Sequence, residues 1–97
     1  MLFRSSEVLR LETRLHAAPG ATAAGVREAG TIAALDGAYG EFRASPALCA
    51  EAFEAIAAAP AGLTVREVLL GFHVHRRRPV ELGLAWMAKY AFVDWLT

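Results

Sequence analysis

The pattern of apolar and polar residues is clearest in the second half of the chain. Ser45 is a candidate N-cap and Pro46 fits the first helical position of the stretch "RASPALCAEAFEAIAAAP". Apolar residues then recur at helical spacing until Pro60. The sequence therefore predicts an amphipathic helix over about 46–59.

The next two helices are predicted from their starts. Thr64 and Glu67 have the spacing of a capping box, in which each residue satisfies a free amide at the helix start, so a second helix is expected over about 64–73. Pro79 fits the first position of a third helix over about 79–90, because apolar residues follow it at helical intervals. The final residues, "AFVDWLT", fit either a short strand or a continuation of that helix.

The first half of the chain carries weaker signals. Turn chemistry at Asp36-Gly37, between residues with β propensity, predicts a hairpin with strands near 31–35 and 39–44. Residues 7–16 fit a strand or a helix, and we prefer a strand because it would complete a three-stranded sheet. The small residues "AAPGATAAG" are expected to form a mobile linker. The predicted class is α+β, with a small N-terminal antiparallel sheet followed by three helices.

Composition narrows the class of protein. A chain of 97 residues predicts one domain with a modest core, and a hydrophobic fraction of 56% suggests that some apolar surface serves a partner. The formal net charge is zero, so the basic footprint usual for nucleic-acid binding is absent. A single Cys49 fits a reducing cytoplasm. No secretion signal or membrane-spanning run is recognised, and the chain is expected to be cytoplasmic.

Three consecutive arginines, Arg76, Arg77 and Arg78, stand in the predicted turn before the third helix. They would stay solvated, pair with carboxylates of a partner, or contact phosphates. Specific DNA recognition is disfavoured, because the predicted third helix is nearly all apolar and the chain has no Asn or Gln to read adenine. With zero net charge, phosphate contacts would be weak and sensitive to salt.

Catalytic and metal-binding chemistry is not indicated. His73 and His75 lack the paired clusters typical of zinc sites. Cys49 falls on the apolar stripe of its helix as a small hydrophobe. No serine has the surroundings of a nucleophile, and no Gly-rich loop has the pattern of a phosphate site. We therefore predict no catalytic residue, no metal and no cofactor, and expect that the chain is not an enzyme.

Aromatic residues concentrate near the C-terminus, including Trp86 and Tyr90. Such residues either complete the core or form an interface. Met87 lies on another helix face than Trp86, and a helix that is apolar on all sides needs cover on each side. This pattern favours a homodimer or a partner enzyme.

The predicted order of elements resembles the winged-helix family. Within it, the chain is most similar to the peptide-binding domains of ribosomal peptide maturation, typified by the pyrroloquinoline-quinone peptide chaperone. The resemblance covers about residues 8–95. It rests on the runs "GTIAALDGAYGEFRASPALCAEAFEAIAAAPAGLTVREVLLGF" and "PVELGLAWMAKYAFVDWL".

The resemblance implies a non-catalytic module that binds a precursor peptide or a modifying enzyme. A leader peptide would add as a strand beside residues 39–43 and pack against the last helix. The implied binding residues are Tyr39, Glu41, Phe42, Arg43, Leu82, Trp86 and Tyr90. Apart from the resemblance, which has no such basic turn, Arg76, Arg77 and Arg78 are candidates for a clamp on carboxylates of the partner. The alternatives are a winged-helix DNA-binding regulator and an accessory subunit or homodimeric adaptor of an enzyme.

Overall fold

The computed structural model describes residues 9–36 and 45–96. Within these ranges the chain forms a three-stranded antiparallel sheet and four helices, so the predicted α+β class is confirmed. The elements are β1 (Arg14–Ala17), α1 (Ala23–Asp36), α2 (Pro46–Ala57), β2 (Leu63–Thr64), α3 (Val65–Leu70), α4 (Val74–Lys89) and β3 (Val93–Leu96).

The sheet is assembled from strands that are far apart in sequence. β1 lies in the middle, and Arg14 is opposite Thr64 of β2 on one side and Leu96 of β3 on the other. The strand preferred for residues 7–16 is thus confirmed only at its end, since a turn at Leu11 and Glu12 precedes β1 and Leu11 is exposed. The N-terminal strand becomes the centre of the sheet.

The predicted hairpin over 31–44 is wrong in its first strand. Residues 31–36 are the last turns of α1, which begins after Thr22 accepts a hydrogen bond from the Gly25 amide at 3.0 Å. The alanine-rich sequence of α1 favours a helix, and this capped helix overrides the turn signal at Asp36. The second predicted strand, 39–44, lies outside the described residues. The expected linker is also shorter, because α1 already begins at Ala23.

The helix predicted over 46–59 is confirmed as α2. The Ser45 hydroxyl accepts a hydrogen bond from the Leu48 amide at 3.0 Å, with Pro46 at the helix start. The buried face of α2 joins the core that α4 and the sheet complete. The largest fully buried side chains of this core include Ile56, Leu84, Met87 and Leu15.

The capping box at the start of α3 is confirmed. The Thr64 amide donates to Glu67 Oε1 at 2.8 Å, and the Glu67 amide donates to Thr64 Oγ1 at 3.1 Å. These bonds lower the pKa of Glu67, chiefly through the Thr64 amide. The helix is shorter than the predicted range 64–73, because it ends at Leu70 with Gly71 as its C-cap.

We expect Thr64→Ala to lower the free energy of unfolding by about 1 kcal/mol, because the first turn of α3 loses its cap. The ionised Glu67 side chain is the acceptor, so its contribution is present above the ordinary pKa of 4.5 and is lost as pH falls through the lowered pKa. Urea titrations at neutral and acidic pH measure both effects, with the exposed Thr31→Ala in α1 as the control. An equal loss in the two variants would contradict the assignment.

The third predicted helix begins five residues earlier than Pro79. His73 caps it, since its Nδ1 accepts a hydrogen bond from the His75 amide at 3.3 Å, and α4 starts at Val74. Pro79 lies inside the helix, where it removes one amide donor and does not start the helix. The arginines predicted in a turn are therefore helical.

The end of the described chain is a strand. α4 ends at Lys89, and Ala91 adopts a positive φ of 64° that reverses the chain into β3. The strand alternative for "AFVDWLT" is thus confirmed over Val93–Leu96.

Candidate functional site

A three-residue turn, 71–73, joins α3 to α4. This length, with a glycine in the turn, is typical of the helix-turn-helix motif. In DNA-binding motifs of this kind the second helix presents its N-terminal residues to the base edges. Because α4 starts at Val74, its N-terminal residues are 74–78 and not those that follow Pro79.

Arg77 stabilises the turn between α3 and α4 through hydrogen bonds to backbone carbonyls. Its Nε–H donates to the carbonyl oxygens of Leu69 at 3.1 Å and Phe72 at 3.2 Å, and the side chain is half-buried. Leu69 lies in the last turn of α3 and Phe72 in the connecting turn, so Arg77 ties the start of α4 to both. Arg77 thus has a structural role and is not directed to a partner.

The other two arginines face solvent. Arg76 is exposed, and Arg78 donates to Glu81 Oε1 at 2.9 Å although 74% of its side chain remains accessible. The first turn of α4 contains no acidic residue. Cations at this end oppose the helix dipole, at a cost of about 0.3–1 kcal/mol each. Local costs of this kind are expected at functional sites.

Apolar side chains flank the same turn. Leu70 is 63% exposed and Val74 is 60% exposed, the two largest values among the large hydrophobic residues of the described chain. His75 is also exposed beside them. We name this set the turn surface, and it consists of Leu70, Val74, His75, Arg76 and Arg78.

A cleft of about 630 Å³ adjoins the turn surface and shares Arg76 with it. Two carboxylates also line it, Glu51 on α2 and Glu67 on α3. Glu67 is held by the capping box, whereas Glu51 is exposed. The remaining lining residues are Ala55, Leu63, Val68, Gly71, Phe72 and His73. The cleft therefore combines one arginine of α4 with carboxylates of α2 and α3.

The groove expected from Leu82, Trp86 and Tyr90 is largely filled. Trp86 is only 7% exposed and stacks on Phe92 with ring centroids 5.5 Å apart, while Leu82 is half-buried. Tyr90 alone of the three is substantially exposed, at 43%. The strand residues expected to form the other wall, Tyr39, Glu41, Phe42 and Arg43, lie outside the described residues.

The chain itself covers α4 on both sides. Met87 is fully buried, and Trp86 is buried on the neighbouring face. The apolar character of α4 is therefore explained by its own core, and this pattern does not require a second copy or an enzyme to cover it. Sequence periodicity alone did not predict how much of the helix the chain would bury.

The histidines form a close pair. The rings of His73 and His75 lie with centroids 4.7 Å apart at an interplanar angle of 31°. In the described part of the chain, no group of three or more His, Cys, Asp or Glu side chains is placed to hold a metal ion. The pair instead belongs to the start of α4, where His73 acts as the cap.

We expect Cys49 to react with maleimide only when the chain unfolds. The side chain is 2% exposed, and burial raises the pKa of its thiol to about 11, so little reactive thiolate forms near neutral pH. The matched control is a Cys49→Ala chain that carries Ala47→Cys, because position 47 is exposed on the same helix. Labelling of both cysteines at the same rate in the native state would contradict the burial.

Arg77→Ala is expected to lower the free energy of unfolding by about 1–2 kcal/mol, because the carbonyls of Leu69 and Phe72 lose a charged donor. Arg76→Ala, at the neighbouring exposed position, is expected to change it by less than about 0.5 kcal/mol. Urea denaturation of the two variants measures the difference. If both variants lost the same stability, Arg77 would not fasten the turn.

No helix in the described ranges is long and apolar enough to span a membrane. No protein-family model, curated protein or solved structure gives a significant match to the chain. Function is therefore inferred from the turn surface and from the fold that presents it.

Proposed function

We propose that this chain is a non-catalytic recognition module that binds a protein or peptide through the turn surface. The observation that carries the proposal is the start of α4 at Val74. It places Arg76 and Arg78 on exposed helical turns beside Leu70 and Val74. Arginine is enriched at protein interfaces, and grouped exposed apolar side chains mark surfaces that bind a partner.

The scaffold we propose is winged-helix-like. In support, β2 leads directly into α3, a three-residue turn joins α3 to α4, and β3 follows α4. The chain departs from the expected order in its sheet, because the central strand β1 comes from the N-terminus and not from a hairpin. This departure leaves the α3–turn–α4 segment intact as the presenting element.

A precursor peptide or its modifying enzyme is the narrower form of the proposal. It rests on the resemblance to leader-binding domains, in which a peptide adds to a sheet edge beside the last helix. β3 is an edge strand of the described sheet, and Tyr90 is exposed at the end of α4. Strand addition here would use backbone hydrogen bonds for affinity and neighbouring side chains for specificity.

DNA binding is the second candidate, and the helix-turn-helix itself favours it. The charge of the chain argues against it, since interfaces with DNA are strongly positive and the formal net charge here is zero. Glu81 also neutralises Arg78 in part.

An accessory subunit or a homodimer would use the same exposed apolar residues. A measurement of molecular size in solution distinguishes a homodimer from a monomer.

Capture from native lysate tests the proposal. The immobilised chain is compared with R76A/R78A, and R10A/R27A is the matched control, because Arg10 and Arg27 are exposed and lie outside the turn surface. We expect a protein or peptide that resists nuclease and is lost only with R76A/R78A. Recovery of nucleic acid alone, lost as salt rises, would contradict the proposal and support the second candidate.

A further inference from the structure

The geometry of the turn surface points to the chemistry of its partner. Resting on the proposed function, we propose that the partner is an acidic segment of another protein that also carries a large apolar side chain. Its carboxylates would bind Arg76 and Arg78, and its apolar side chain would pack on Leu70 and Val74.

Charge complementarity supports the acidic half of this inference. The first turn of α4 has no acidic residue, and the positive end of the α4 dipole adds to the charge of the arginines. Guanidinium groups pair with carboxylates through two parallel hydrogen bonds. A basic segment would meet repulsion here, and so would the turn surface of a second copy of this chain.

Arg76 and Arg78 are the two exposed guanidinium groups that could pair with carboxylates. The half-buried Arg77 instead donates its Nε–H to the carbonyls of Leu69 and Phe72. Arg78 is available, since its pair with Glu81 is solvent-exposed and a partner carboxylate can replace it with little loss. Arg76 is exposed. The sequence shows three equal arginines, whereas the structure assigns two of them to the partner.

Exposure supports the apolar half of the inference. Leu70 and Val74, the two most exposed large hydrophobic residues among those described, lie on either side of one three-residue turn. A purely ionic ligand such as free phosphate would leave them in water. A segment with an apolar side chain would cover them and would exclude water around the ion pairs.

The cleft beside the turn surface fixes the direction of the partner. Glu51 is exposed, lines the same cleft as Arg76 and would repel a carboxylate that entered it. The acidic segment therefore lies along the start of α4 and not across the cleft. Removal of Glu51 would relieve this repulsion and strengthen binding.

Selection from a displayed library of random short peptides tests the inference. The full-length wild-type chain is the bait, and peptides that bind the support without the chain are discarded. An enriched peptide is then titrated by fluorescence anisotropy against folded wild type, R76A/R78A, L70S/V74S, E51A and the control R10A/R27A. Circular dichroism verifies the fold of each variant.

We expect enriched peptides to combine Asp or Glu with large apolar residues. R76A/R78A should lower the affinity for these peptides roughly tenfold, and amidation of the peptide's carboxylates should do the same. L70S/V74S should also weaken binding, and E51A should tighten it by about twofold. R10A/R27A should bind like the wild type.

Three other outcomes would overturn the inference and differ in what they leave standing. Neutral apolar peptides that depend only on Leu70 and Val74 would remove the acidic partner but leave the proposed function. Peptides unaffected by either double variant would remove the turn surface as the site. A third outcome is that no peptide is enriched, while the wild-type chain binds a DNA duplex and R76A/R78A does not. That result would remove both the inference and the proposed function.

Discussion

A Gly62→Ala chain is expected to lose about 3 kcal/mol or more of its free energy of unfolding. Gly62 has a φ of 75°, a left-handed conformation that costs an L-residue about 1–2 kcal/mol. A Cβ at this position would also collide with the carbonyl oxygen of Leu15 in the central strand. That carbonyl belongs to backbone, so relief would require β1 and β2 to separate.

The matched control for this prediction is Gly20→Ala. Gly20 also has a positive φ, 83°, but a Cβ there would meet nothing within 4 Å. Its expected cost is therefore only the backbone term, about 1–2 kcal/mol. Urea denaturation of the two variants isolates the close approach between residue 62 and β1, and an equal loss in both would contradict this packing.

The second large effect is expected on binding. R76A/R78A should lower the affinity for the captured partner roughly tenfold or more. The variant's free energy of unfolding should change by less than about 0.5 kcal/mol. Loss of the exposed Arg78–Glu81 pair is offset, because two cations leave the positive end of the α4 dipole. Isothermal titration calorimetry and urea denaturation measure the two quantities on the same samples.

This separation of binding from stability is the test of role. If R76A/R78A unfolded as easily as Arg77→Ala, the exposed arginines would be structural and the weakened binding would be indirect. If affinity stayed at the wild-type value, the turn surface would not contact the partner. R10A/R27A controls for the loss of two positive charges from the chain.

Local capping chemistry accounts for the elements that the sequence predicted well. Ser45 with Pro46 defined the start of α2, and Thr64 with Glu67 defined the start of α3, because each cap is satisfied by residues within one turn. These signals do not depend on the rest of the fold. They were therefore readable from the chain alone.

The errors arose where two local signals compete. Asp36 with Gly37 resembles a hairpin turn, but the preceding residues belong to a helix that Thr22 caps. Pro79 favours the first helical position, yet α4 starts at Val74 behind a weaker cap, His73. Intrinsic propensity evaluates each local signal separately. Packing against the rest of the fold determines which signal prevails.

The candidate site was only partly predictable for the same reason. The three arginines are adjacent and identical in sequence, and only the folded turn shows that Arg77 binds the carbonyls of Leu69 and Phe72. Trp86 is covered by Phe92, which reaches it because the chain reverses direction at Ala91. Tertiary contacts of this kind have no periodic signature.

The most direct test of the turn surface is amide chemical-shift mapping. The ¹⁵N-labelled chain is titrated with the partner captured from lysate, and shift changes are assigned along the whole sequence. We predict that the largest changes cluster over residues 70–78. Changes confined to β3 and Tyr90, with residues 70–78 unaffected, would contradict the central claim and place the partner on the sheet edge.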